Sequence, residues 1–598
     1  MSQYSIDHWV YVAAPVFAYC VVVLGLAALG DAGGERNLVK AFFGSISSSL
    51  ARFTGVPGWA MAGALTGLTS AGIAMFGLYW DVAWHIDNGR DKALFTPSHT
   101  MILIGLNGLV FAAAIAVIFA TLERSEAGFR FGGLQVPWSA LALGALGIGA
   151  VAAFPLDNLW HAAYGLDVTL WSPTHLQLIA GGSLGPVAMW LMIREGRREA
   201  GADPSPTLLG RGIEVLTFGA ILTGLSTFQG EFDFGVPQFQ ALYHPLLIAA
   251  AAGIALVAAR IALGAGGALL TAATFLVLRG IVALLVAGAL NHTVPRFPLY
   301  LVAALAIEAV AFVLGTDERL RFALVSGAAV ATVGLAAELA WVDLSGWGPV
   351  SGNGLPMALG LGLVTAMAAA LFGAALGQAA DDDEGRPGVP VAALGAAALV
   401  LVVAMALPLP RNVGEVQAVI SLARTGDEAV VTVQLDPPTA ADDATLFGIV
   451  AWQGGGRVSA EFDEIGPGRY RSTRAVPITG DWKSMIGLQR GSQVMAAPIY
   501  LPADPEIGAA AIPALDERTV AFSRNTDILL REAKDGPAWP ALASFAGVAV
   551  VVSTWMGLLT LAVIRVRSAP PVRRRVAATP LVPPPPAPGA WVPRHARV

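Results

Sequence analysis

The chain has 598 residues, 55% of them hydrophobic and only 13% charged, and its mean hydropathy is +0.65. A soluble domain carries roughly a quarter charged residues, so a soluble globular protein is excluded and a polytopic helical membrane protein is indicated. The net charge of −6 offers no basic surface for nucleic acid, and the single cysteine, Cys20, excludes an intrachain disulfide and a thiolate metal cluster.

The N-terminus, Met1-Ser2-Gln3-Tyr4, lacks the basic flank of a signal peptide, so the first apolar segment reads as a retained span. Apolar runs long enough to cross about 30 Å of hydrocarbon fall near residues 8–30, 58–84, 99–122, 138–161, 174–194, 213–230, 244–263, 267–290, 298–315, 321–342, 356–378, 389–409 and 541–564. Thirteen transmembrane helices are therefore predicted. The connections at 31–57 (Arg36, Lys40, Arg52), 123–137 (Arg124, Arg130) and 194–212 (Arg194, Arg197, Arg198, Arg211) are basic, as is the tail from Arg565 to Arg575. The positive-inside rule places these in the cytoplasm of a plasma-membrane protein, with the N-terminus outside and the C-terminus inside.

Six regions follow from this pattern. Residues 1–57 hold the first span and a cytoplasmic loop, 58–195 a four-helix region, and 196–410 further spans. Residues 411–535 differ, because stretches such as Ala429-Val430-Val431-Thr432-Val433-Gln434-Leu435 alternate with period two between Asp, Gly and Pro turns. This predicts an extracytoplasmic β-sandwich. A last helix spans 536–566, and 567–598, rich in Pro, Ala and Arg, reads as a disordered cytoplasmic tail.

The most informative feature lies in 58–195, where one motif is written twice. Asp81-Val82-Ala83-Trp84-His85, Asp91 and Phe95-Thr96-Pro97-Ser98-His99 are followed, offset by 76 residues, by Asp157-Asn158-Leu159-Trp160-His161, Asp167 and Trp171-Ser172-Pro173-Thr174-His175. Asp81 and His85 are four apart, as are Asp157 and His161, so each pair shares one helix face. His99 and His175 open the next helices, and short loops return them beside the first pairs. Each copy thus offers one carboxylate and two imidazoles at the outer membrane edge. Two histidines and one carboxylate with vacant positions suit copper, zinc or iron in a reactive state. Asp91 and Asp167 are candidates to orient the imidazoles, and Trp84 and Trp160 to sit at headgroup level. The competing explanation is a duplicated polar helix cap supplied by Ser98 or Thr174.

The run from Asp81 and Trp84-His85 through Arg90-Asp91 to Phe95-Thr96-Pro97-Ser98-His99 resembles the C subunit of copper-containing membrane monooxygenases, the particulate methane and ammonia monooxygenases. The resemblance covers about residues 60–195 and has one extra residue between the two histidines. It implies copper ligation by Asp81, His85 and His99. The family's second site is built from Asn, His and His, and Asp157, His161 and His175 occupy a comparable place here, with Asp for Asn. Separately, Gly468-Arg469-Tyr470-Arg471 through Pro477-Ile478-Thr479-Gly480-Asp481-Trp482 resembles the strand pair of YtkA-like and FixH-like domains, which often accompany copper proteins. No His or Cys lies between residues 293 and 594, so that domain offers no histidine-based copper site.

Weaker candidates remain. Glu231, Asp233 and His244 flank the next outer loop and suggest a third, decayed copy of the site. His292 is a further candidate, and Glu338 and Asp343 read as structural. Arg279 and Glu308 each count to about 15–16 Å below the outer surface at 1.5 Å per residue, which predicts a buried ion pair between neighbouring helices, because an unpaired charge at that depth is costly.

Two functions fit. One is a copper-dependent, monooxygenase-like oxidoreductase that activates dioxygen to hydroxylate a small apolar substrate. The other is non-enzymatic copper binding or copper handling at the outer membrane face. Transport is disfavoured, because the ligands lie at one level and form no ladder across the bilayer. The expected partners are membrane lipid, and additional subunits or a copper or electron donor at the outer face.

Overall fold

The computed structural model describes residues 6–32, 37–90, 93–165, 170–201, 207–345, 352–380, 388–410, 413–534 and 536–568. The proposed orienting residues Asp91 and Asp167, and the tail from residue 569 onward, lie outside these ranges.

Helices α1 (Ile6–Ala32) and α2 (Leu38–Thr54) come first. The segment read as a basic loop therefore contains a helix. Asn37 caps it, accepting from Val39 N at 2.9 Å, and it exposes Leu38, Phe42 and Phe53. Next come α3 (Gly58–Asn88) and α4 (Pro97–Glu123), the hairpin β1 (Phe129–Phe131) and β2 (Leu134–Val136), then α5 (Trp138–Tyr164) and α6 (Pro173–Ala200). The remaining membrane helices are α7 (Leu208–Ser226), the short α8 (Gly230–Phe234), α9 (Tyr243–Leu263), α10 (Gly267–Ala283), α11 (Leu301–Leu314), α12 (Arg319–Ala329), α13 (Leu335–Leu344), α14 (Leu355–Gly377) and α15 (Val391–Ala406). Among the described residues, eleven helical stretches are long and apolar enough to cross a membrane, and Leu301–Leu314 and Val391–Ala406 are shorter apolar helices.

The α3–α4 and α5–α6 hairpins pack side by side, and the last helix lies against α5 and α6. Glycine permits the closest approach. A Cβ on Gly77 would lie 2.7 Å from Ile102 N, and one on Gly105 would lie 2.4 Å from Ala74 N. The α3 and α4 backbones therefore meet where no larger residue fits, one turn below the histidine motif. At the opposite helix ends the arginines are engaged. Arg197 pairs with Glu214 at 2.7 Å, and Arg198 Nη1 donates to Arg567 O at 2.7 Å.

The sheet domain comprises β3 (Gln417–Thr425), β4 (Glu428–Asp436), β5 (Leu446–Trp452), β6 (Arg457–Gly466), β7 (Arg469–Ser472), β8 (Val476–Pro477), β9 (Lys483–Arg490), β10 (Gln493–Tyr500), β11 (Glu517–Ala521) and β12 (Ser523–Arg524). The short α16 (Asn525–Leu529) and the long α17 (Ala538–Ser568) follow. The alternation in β4 buries Ala429, Val431, Val433 and Leu435. The expected sandwich is corrected in one respect. The strands form one continuous antiparallel sheet, β11-β3-β4-β7-β6-β5-β9-β10-β12, with β8 on β4. The long β6 joins the halves, pairing with β5 over 457–461 and with β7 over 462–466. The sheet packs around a core that includes Ile420, Val433, Ile486 and Ile499, and Trp452, Met485, Ala496 and Leu501 form a second buried cluster with Val236 and Ile528.

The Arg279–Glu308 pair is also corrected. Arg279 Nη2 meets Asp233 Oδ2 at 2.7 Å with both side chains fully buried, and its guanidinium lies 3.7 Å from the Tyr79 ring centroid. Glu308 instead pairs with Arg260 Nε at 2.8 Å and accepts from Gly266 N and Ala268 N at the α9–α10 turn. The depth count fails because α10 ends in a π-turn over Leu284–Ala289, and residues 291–300 then run without helix or strand. Arg296 N donates to Asp233 O at 2.8 Å within that run, so non-helical chain fills depth assigned to helix and α11 begins only at Leu301.

Candidate metal centre

Both copies of the motif fold in the same way. In each, the first helix runs to its end carrying Asp and His on one face, and a hydroxyl residue caps the second helix. Thr96 Oγ1 accepts from His99 N at 3.2 Å, and Ser172 Oγ accepts from His175 N at 3.1 Å. Proline at the first helical position follows each cap, where its missing N–H costs nothing. The caps are therefore Thr96 and Ser172. Ser98 and Thr174, the sequence candidates for capping, instead donate to the motif carboxylates, Ser98 Oγ to Asp81 Oδ1 at 2.7 Å and Thr174 Oγ1 to Asp157 Oδ1 at 2.6 Å. Their signal was in the sequence, as a hydroxyl immediately before each second histidine.

The ligand atoms converge. His85 Nε2 lies 3.6 Å from Asp81 Oδ2, and His99 Nε2 lies 3.1 Å from Asp81 Oδ1. In the second copy, His161 Nε2 and His175 Nε2 lie 3.4 and 3.5 Å from the same atom, Asp157 Oδ2. Within each set the three donor atoms all fall within 4.8 Å of one another. Ligands about 2.0–2.1 Å from one ion at tetrahedral or octahedral angles lie roughly 2.9–3.4 Å apart, so the observed spacing is slightly wide and a small inward movement of the side chains would let each set hold one transition metal. The tautomers fit as well. His85 Nδ1 is 2.9 Å from Gly89 O and His99 Nδ1 is 2.8 Å from Leu94 O. A carbonyl can only accept, so each Nδ1 carries the proton and each Nε2 is left a lone pair for a metal. Among the described residues, buried His161 Nε2 has no hydrogen-bond partner beyond its approach to Asp157.

Both sets open into one cavity of about 970 Å³, lined by all six ligands together with Phe154, Glu231, Trp452, Gln453, Lys483 and Glu532. Phe154, from the second repeat, stands 6.1 Å from the His99 ring and joins the two sets. The sheet domain forms the roof. Gln453 N donates to Ile86 O at 2.8 Å, Gly455 N to Asp87 O at 3.1 Å, and Lys534 N to Tyr164 O at 2.8 Å. Arg90 Nη2 donates to Asp504 Oδ1 at 2.9 Å and to Glu506 Oε2 at 3.0 Å. This pairing raises the guanidinium pKa of Arg90 and holds the carboxyl of Asp504 below the usual range. Lys483 is 7% exposed, and burial lowers its ammonium pKa.

The third candidate set is not gathered. Glu231 Oε1 accepts from Gln238 N and Phe239 N, Asp233 is committed to Arg279 and Tyr79, and the His244 ring packs 5.4 Å from Phe232. Among the described residues, only the Asp81 and Asp157 sets bring three such ligands together. His292 is drawn into structure: its Nδ1 lies 3.0 Å from Asp87 Oδ2, which also accepts from Thr293 N at 2.8 Å. Asp87, unremarked in the sequence, thus ties the 291–300 run to the end of α3. Glu338 accepts from Leu299 N and Tyr300 N at the end of the same run. No family model, curated protein or solved structure matches the chain.

Proposed function

We propose that the chain is a copper-dependent, monooxygenase-like membrane oxidoreductase that hydroxylates a small apolar substrate at the outer face of the plasma membrane. The proposed topology has thirteen spans, the N-terminus and sheet domain outside and the C-terminus in the cytoplasm. One observation carries the reading: two sets of one carboxylate and two imidazoles line a single roofed cavity. A storage or purely structural site closes its coordination shell, whereas a reactive site leaves a position for another ligand. Copper, when bound, supplies the one-electron chemistry that lets dioxygen react. The chain's own residues do the rest. Asp81 and Asp157 provide the anionic ligand, and the carbonyls of Gly89 and Leu94 fix the imidazole tautomers. Phe95, Phe154, Leu178 and Ile179 supply apolar walls that limit water. Electrons come from a donor, and additional subunits dock, at the outer face.

The test is metal analysis of the purified protein, followed by dioxygen consumption coupled to alcohol formation from short alkanes or alkenes. Copper at about two equivalents with product formation is the expected result. Absence of copper, or copper without dioxygen consumption under reducing conditions, overturns it. Orientation is checked in a Cys20→Ser background, where a cysteine at Asn88 reacts with an impermeant thiol reagent in intact cells and one at Gly201 does not.

A second reading, copper handling without turnover, draws on a polar vestibule of about 790 Å³ in the sheet domain. It shares Arg90, Gln453, Lys483, Glu506 and Glu532 with the ligand cavity and so gives a hydrated ion a way in. Transfer of bound copper to a chelating acceptor, with no substrate oxidised, would favour it.

A further inference from the structure

The floor of the ligand cavity follows from helix geometry. Leu78 lies three residues before Asp81, Ile102 three after His99, and Leu178 and Ile179 three and four after His175. Residues at this spacing share a helix face, so an apolar layer lies one turn deeper in the membrane than the ligands. The same four side chains also wall a second cavity, of about 270 Å³, among α3, α4, α6, α7 and α10. That chamber is apolar. Thr69, Thr223 and Thr227 line it, but each hydroxyl turns back to its own helix, to Leu65 O at 3.0 Å, Gly219 O at 2.8 Å and Thr223 O at 2.9 Å. Ser183 adds one further hydroxyl. Ordered water needs two to four polar partners, which such walls do not offer. Thr69 and Gly72 are exposed on the membrane-spanning surface of α3, so the chamber has its mouth on the lipid side.

We propose that this chamber is a lateral binding site for a small apolar molecule dissolved in the bilayer, and that it feeds the ligand cavity through the partition of Leu78, Ile102, Leu178 and Ile179. An apolar cavity of about 150 Å³ already holds benzene or xenon, so this one takes a molecule of that size or somewhat larger. The ligand cavity then lies between two entrances of opposite character: the apolar chamber below and the polar vestibule, shared at Lys483 and Glu532, above. A membrane-dissolved substrate enters from one side and a more polar product leaves by the other. This deepens the oxidoreductase reading, but occupancy of the chamber does not depend on copper.

The probe is xenon, applied under pressure to crystals of the full-length protein. One xenon site is expected in the chamber of the wild type. Gly72→Leu should lower its occupancy at least tenfold, because a Cβ at Gly72 meets nothing within 4 Å and the longer side chain has room to fill the mouth. Ala220→Leu plugs the chamber from α7 as an independent variant. Both should keep the wild-type melting temperature and copper content. In copper-loaded protein, relaxation of the Cu(II) electron-spin signal by dioxygen should fall in both variants, while relaxation by a water-soluble nickel chelate stays unchanged. Ordered water or a lipid acyl chain filling the wild-type chamber overturns the proposal, as does equal xenon binding in both plugged variants. Xenon binding without copper binding would sink the metal reading and leave the chamber standing; copper binding without xenon would do the reverse.

Discussion

The two repeats share a motif, a cap and a hydroxyl-to-carboxylate bond, yet they differ in how they present the carboxylate and in what holds them. In the first, the two imidazoles approach different oxygens of Asp81; in the second, both approach Oδ2 of Asp157. The position two before the aspartate is Tyr79 in the first repeat and Pro155 in the second. Tyr79 donates to Asp233 at 3.0 Å and lies under Arg279, so α3 is anchored to α8 and α10. Pro155 sits inside α5 and offers no such anchor. The first repeat is clamped to the sheet domain through Ile86, Asp87 and Arg90, whereas the second meets the linker to the last helix, with Tyr164 OH donating to Pro537 O at 2.9 Å. A duplicated ligand motif can therefore keep its ligands while its surroundings diverge.

The sharpest test of equivalence is stoichiometric. His85→Ala and His161→Ala should each remove about one equivalent of copper and the double variant both, measured by elemental analysis; full occupancy in the double variant would rule out both sites. The anchor of the first repeat comes next. Asp233→Leu leaves Arg279 buried without its partner, and breaking one member of a buried pair costs about 3–5 kcal/mol. Thermal unfolding should register that loss, Arg279→Met in the same chain should partly restore stability, and the proposed copper site at His85 should be disturbed more than that at His161. Removing the hydroxyls probes the carboxylates. Ser98→Ala and Thr174→Val should weaken copper roughly 10–100-fold at their own site only, read by chelator competition. A larger effect at Thr174 would show that the shared oxygen of Asp157 depends more on its donor.

The smallest expected effect is at the roof. Arg90→Ala should cost about 1–2 kcal/mol and speed hydrogen exchange at Gln453 and Gly455, while Lys534 is unaffected. The depressed pKa of Asp504 gives the pH dependence. This contribution is fully present above the ordinary carboxylate range and is lost as pH falls through the lowered folded pKa. The wild type should therefore lose its advantage over Arg90→Ala only in acid, at a pH below about 4. An advantage that disappeared near pH 7 would assign the clamp to another group.

Several features were legible because they depend on neighbours along the chain. The apolar runs, the four-residue spacing of Asp81 and His85, the turn that returns His99, and the alternation from Ala429 to Leu435 are local, and helix and strand periodicity converts each into a shared face. Helix packing put Arg279 against Asp233 instead of Glu308, because a π-turn and ten non-helical residues break the depth count that sequence spacing assumes. Tertiary contacts also committed Glu231 and Asp233 to other partners, drew His292 to Asp87, and set the sheet domain as a roof over both ligand sets. The amino-acid sequence by itself determined which residues can ligate and which faces they share, since those follow from backbone geometry within one hairpin. Only the tertiary structure decided which charges meet and which cavities join, since each depends on how elements far apart in the chain fill space around one another.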